Sequence, residues 1–143
     1  MLRLAAAVVL TAMAIGAVAR AQSAPARTVM DGLYTAAQAT RGQAAYERSC
    51  VECHMPDLAG HEYAGALAGF AFQLKWQDAS LAELFGRMRS MPLGRPGWLT
   101  NQEYLDILAY VLQKNTYPEG SEDLTAAVAG QRWPRIPIER LQR

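Results

Sequence analysis

The stretch "YERSCVECHMPDLAG", residues 46–60, constrains this chain more than any other. It holds both cysteines of the sequence and one of its two histidines, packed as Cys50-Val51-Glu52-Cys53-His54. The N-terminus bears on what those thiols can do. Arg3 is followed by the apolar run Leu4–Ala19 and then by Ala19-Arg20-Ala21. A positive start, a hydrophobic stretch and a small-x-small site make the layout of a secretory signal peptide, so residues 1–21 are expected to be removed by cleavage after Ala21. Ala17-Val18-Ala19 offers a second cleavage site. The run of 16 residues falls short of the roughly 20 needed to span a bilayer, which disfavours an uncleaved anchor. Export places the chain in an oxidising compartment, where two neighbouring free thiols normally become a disulfide.

The mature chain would be residues 22–143. Cleavage removes two of the 14 basic residues, leaving 12 against 13 acidic ones and a net charge of −1. A near-neutral balance without a basic stripe gives no electrostatic footprint for nucleic acid. No further apolar run is long enough to cross a membrane. With 51% hydrophobic residues, one small globular domain is expected.

Residues 22–34, "QSAPARTVMDGLY", read as a flexible leader. Three helix starts then share one device: Thr35…Gln38, Ser80…Glu83 and Thr100…Glu103 each set a hydroxyl three residues before an amide or carboxylate, the capping-box pattern. After Ser80, the residues Leu81, Leu84, Phe85 and Met88 mark one buried helical face; after Thr100, Tyr104, Leu105, Leu108, Ala109 and Leu112 do the same. Residues 54–79 read as a long irregular segment, and residues 119–143 as an extended tail over the surface. The fold class is all-α, with the domain proper over residues 35–118. A loop of about 25 residues in so small a domain argues against the assignment unless it packs on something other than protein.

Three chemistries compete for Cys-x-x-Cys-His. A redox dithiol wants a preceding strand and a helix N-terminus to lower its thiol pKa, and no strand precedes Cys50. A structural zinc site wants four N or S ligands, which Cys50, Cys53, His54 and the distant His61 barely supply. Covalent haem uses the whole pentapeptide: each thiol forms a thioether to one vinyl group, and the adjacent His54 is held beneath the iron. The haem reading is preferred because it uses both cysteines, suits an exported protein and gives residues 54–79 a core to cover.

A six-coordinate haem needs a second axial ligand. Met55 is too close to His54 to reach the opposite face, and His61, in "GHEY", reads as a solvated loop residue. Met88 belongs to the apolar face of its helix. Met91 lies 37 residues after His54 and precedes Pro92, which disfavours the α region and stiffens the loop. Met91 is the expected distal ligand, and Met/His ligation raises the reduction potential.

Over residues 35–118 the sequence resembles the class I c-type cytochromes. The motif C-V-E-C-H, the Met91-Pro92 pair, Gly42 and Tyr46 spaced eight and four residues before Cys50, and the later "DILAYVL" all carry the likeness. The resemblance implies a fold of three to four helices and long loops around one covalently bound haem c, with the N- and C-terminal helices crossing at Gly42 and Tyr46. It also implies that the Gly65 carbonyl accepts the His54 Nδ1–H and makes Trp76 a candidate contact to a haem propionate. Two positions depart from the family pattern: Met55 stands where glycine is common, and Gly65 where proline is. "TRGQAAYERSCVECH", "LAGFAFQLKWQDASLAELFGRMRSMPLGRPGWLTNQEYLDILAYVLQKN" and "YPEG" further resemble small cytochromes c that accompany periplasmic quinoprotein (pyrroloquinoline quinone) dehydrogenases. The expectation is a periplasmic monohaem electron carrier, not itself an enzyme, that takes single electrons from such a dehydrogenase and passes them to an oxidase or another cytochrome of the respiratory chain. A haem subunit fixed in a dehydrogenase complex and a haem-based gas or redox sensor are the alternatives.

Overall fold

Local capping chemistry starts the principal helices. A computed structural model describes residues 27–127; the expected signal peptide and the tail from residue 128 lie outside them. Among the described residues there are five α-helices and no strand: α1 (Ala36–Ser49), α2 (Val51–His54), α3 (Phe70–Trp76), α4 (Leu81–Arg89) and α5 (Asn101–Lys114). Ser80 with Glu83 and Thr100 with Glu103 form complete capping boxes on α4 and α5. The chain is all-α, as its sequence implies, with the one-turn α2 and short α3 added to the three helices expected from capping patterns. Helix α3 lies inside the segment read as irregular. Its N-cap is Gly69, without a side-chain cap, so no capping signal announces it.

Thr35 caps α1 by accepting from Gln38 N at 3.0 Å, but Gln38 does not close the box. Its amide turns into the core, where Oε1 accepts from Leu124 N at 2.6 Å and Nε2 donates to Leu124 O at 2.9 Å. A buried amide thus satisfies both backbone groups of a residue 86 positions later.

Helices α1 and α5 make the frame. A Cβ at Gly42 would sit 1.8 Å from the Asp106 carbonyl oxygen, so the two backbones touch where only glycine fits. The rings of Tyr46 and Tyr110 pack at 5.5 Å, tilted by 54°, at the same crossing. Residues Tyr104 to Leu112 of α5 are buried without interruption. The one acid among them, Asp106, is paired with Arg41 Nε at 3.1 Å and accepts from Gln102 at 2.7 Å, as a buried carboxylate requires.

The core extends past both ends set from the sequence. Val29, Leu33 and Tyr34 of the expected flexible leader are buried, and Val29–Asp31 forms a capped 3₁₀ turn. Leu124, in the expected surface tail, is fully buried. Tyr34 donates its hydroxyl to Tyr117 O at 2.7 Å, Gly120 N donates to Tyr34 O at 2.6 Å, and Arg41 Nη2 meets Asp123 at 2.6 Å. These bonds strap residues 117–124 across the start of α1. Few apolar residues advertise such a strap, because backbone groups and Gln38 do much of the holding.

Candidate cofactor site

Helix α1 runs directly into the cysteine motif. Cys50 N donates to Tyr46 O at 2.8 Å, and Cys50 O accepts from both Cys53 N at 3.2 Å and His54 N at 2.9 Å. Both thiols are free, Cys50 half-buried and Cys53 exposed. Burial, and then the neighbouring Cys53, pushes the Cys50 thiol up to about 11. A redox dithiol needs the reverse shift, toward thiolate at neutral pH.

His54 Nδ1 lies 2.9 Å from the Gly65 carbonyl oxygen. A carbonyl can only accept, so Nδ1 carries the hydrogen and the neutral ring keeps its lone pair on Nε2. Burial lowers the His54 pKa, the Gly65 bond opposes that shift and His61 adds to it. The neutral imidazole, the form that ligates a metal, is therefore favoured.

The loop that presents Gly65 is tied in several places. Gly60 N donates to His54 O at 3.1 Å, His61 and Ala64 exchange bonds of 2.8 and 3.0 Å, and Leu67 N reaches Leu58 O at 2.8 Å. Gly60 is required there, since φ is +70° and a Cβ would meet Ala64 O at 2.1 Å. Asn115 at the end of α5 then receives Gly69 N at 3.0 Å and donates to Leu67 O at 2.9 Å. Asn115 was missed in the sequence; an asparagine after a helix reads as an ordinary cap, and its partners lie 46 and 48 residues away. His61 is exposed, its Nδ1 accepting from Tyr63 N at 3.2 Å.

Met88 packs against the core cluster. Met91 is half-buried in the loop beyond α4, and its peptide to Pro92 is cis. That loop is closed by Met91 N to Met88 O at 2.9 Å, Arg95 N to Pro92 O at 3.0 Å and Gly97 N to Arg89 O at 2.8 Å. The Tyr104 hydroxyl of α5 donates to Met91 O at 2.7 Å, a tie that reading Tyr104 as one more apolar residue had hidden. Trp76 ends α3, packs 6.5 Å from Phe72 and carries the Lys75 ammonium 5.7 Å over its ring. The hydrogen bonds join His54 to Gly65, and join Met91 to α5 instead of to the cysteine turn.

These residues fit a covalent haem. Two free thiols share one turn, an imidazole keeps Nε2 available, and apolar side chains stand exposed on the flanking segments: Met55, Phe70, Leu74, Leu93 and Trp98. The family model for cytochrome c oxidase, cbb3-type, subunit III matches residues 37–111, more than half the chain. The chain belongs to this family of class I c-type cytochromes. No curated protein and no solved structure matches it significantly. As a cytochrome c, it is a haem-based electron carrier, a family role that implies covalently bound haem c and redox protein partners. No described helix is long and apolar enough to cross a membrane.

Proposed function

We propose that this cytochrome is a monohaem carrier of the periplasm, exported by a signal peptide cleaved near Ala21. In this reading it accepts single electrons from a quinoprotein dehydrogenase and delivers them to the respiratory chain. When bound, haem c supplies an iron that cycles between Fe(II) and Fe(III) and carries the electron. The remaining work falls to side chains of this chain. Cys50 and Cys53 would hold the ring through thioethers, His54 would ligate through Nε2, and Met91 would ligate from the loop after α4. Trp76 is the proposed contact to a propionate.

The His54–Gly65 bond carries the reading. It leaves Nε2 free and makes the imidazole a stronger donor, as a hydrogen bond from the other ring nitrogen does for ligating histidines. Met91 is supported by its place in a closed loop beyond α4, whereas Met88, equally half-buried, packs from within α4 against the core cluster. Saturated ligation leaves no open position for substrate, which supports a carrier over an enzyme. The quinoprotein donor is supported by the sequence likeness of the segments around Cys50 and Met91 to cytochromes of that kind. Redox encounters of this type bury little surface and are transient.

The ligand assignment is tested by near-infrared spectroscopy of the ferric protein. Met91→Ala should abolish the sulfur–iron charge-transfer band and Met88→Ala should retain it; the reverse pattern would overturn the assignment. The family's own name, an oxidase subunit, favours a second reading as a haem subunit fixed in a complex. Co-elution with a large partner through size exclusion at moderate salt would decide for that reading.

A further inference from the structure

Tyr104 is the fourth residue of α5 and only 3% exposed. Its ring belongs to the apolar face, a role phenylalanine would fill equally well. The hydroxyl is what phenylalanine lacks, and it donates to Met91 O at 2.7 Å. The other bonds that close the Met91 loop run within the loop or back to α4. The Tyr104 bond instead ties Met91 to α5, the helix that touches α1 at Gly42, and α1 leads straight into the cysteine turn. One rigid frame therefore reaches both His54 and Met91.

We infer that Tyr104 is a positioning residue for the distal ligand: its hydroxyl fixes the Met91 backbone and so aims the thioether. A methionine side chain has three rotatable bonds and holds no direction of its own. Anchoring its backbone reduces the volume the sulfur explores and favours the ligated over the displaced arrangement. This rests on the reading that Met91 is the distal ligand. A single neutral hydrogen bond of this kind changes that ratio roughly three- to tenfold.

The experiment is an imidazole titration of the ferric, haem-loaded full-length protein, with the charge-transfer band recorded in parallel. Imidazole competes with the distal ligand, so Tyr104→Phe should lower its apparent Kd roughly three- to tenfold. Tyr34→Phe removes a hydroxyl bond of the same kind and length, to Tyr117 O at 2.7 Å, on the strap of residues 117–124. It should lower the melting temperature and leave imidazole affinity unchanged. In a Met91→Ala background, adding Tyr104→Phe should change nothing further. If Met91→Ala keeps the band, the ligand reading itself fails. If Met91→Ala loses the band while Tyr104→Phe binds imidazole like wild type, the positioning role is overturned. A Tyr34→Phe shift as large as that of Tyr104→Phe, or a further shift in the double variant, overturns it as well.

Discussion

Met55 sits at φ 65° and ψ 158°, a conformation that L side chains rarely adopt and that glycine enters freely. Its backbone is held there by Met55 N to Val51 O at 2.9 Å and by the Tyr46 hydroxyl on Met55 O at 2.6 Å. The glycine common at this place in the family thus has a conformational reason, and the methionine bears the strain. Strain of this type costs about 1–3 kcal/mol. Met55 is 40% exposed, so removing its side chain gives up only partial burial, which offsets part of the relieved strain. Met55→Gly should stabilise the protein by about 1 kcal/mol after the entropic cost of glycine, read as a higher denaturant midpoint; a lower midpoint would contradict the strain. Gly65 is the opposite case. Its φ lies outside the left-handed region and a Cβ there meets nothing within 4 Å. Gly65→Ala should raise stability by about 0.4–1 kcal/mol in the same assay, because the unfolded chain loses freedom. Met55 was visible in the sequence as an odd residue, but its φ was not, since φ depends on how the chain leaves α2.

Among the elements, the α1–α5 crossing is the least forgiving. Gly42→Ala would drive a Cβ into the Asp106 carbonyl, and backbone cannot step aside as a side chain can. A loss of about 3 kcal/mol or more is expected in urea unfolding, at the upper end of overpacking costs. The family resemblance carried in part by Gly42 and Tyr46 implied this crossing, whereas the starts of α4 and α5 were legible from their capping boxes, which are local patterns. Gln38 was misread because its pattern is local but its partners are not. The bonds to Leu124 win over the cap because they satisfy two buried backbone groups at once. The same strap is expected to weaken in acid. Thr35, and then Arg41, hold the Asp123 carboxyl below its ordinary value. A depressed folded pKa gives stability that is present above the unfolded value near 4 and is lost as pH falls through the folded pKa. The denaturation midpoint of Asp123→Asn should therefore vary less with pH below about 4 than that of wild type. Parallel curves would remove Asp123 from the acid response.

For the whole molecule, the central assignment joins a short motif to an all-α frame. The cysteine turn, the Gly65 loop and the Met91 loop all lean on α1 or α5, directly or through Asn115 and Tyr104. Helical class and the cysteine turn were readable because periodicity and spacing are properties of neighbours in sequence. The strap over residues 117–124 and the two anchoring side chains were not, because each is defined by a contact across the fold. Intact mass spectrometry of the exported, reduced protein tests the central claim most directly. A mass equal to residues 22–143 plus one haem, surviving extraction of non-covalent haem and leaving neither thiol free to alkylate, is the expected result. The mass of the bare chain, with Cys50 and Cys53 both alkylated, would contradict it.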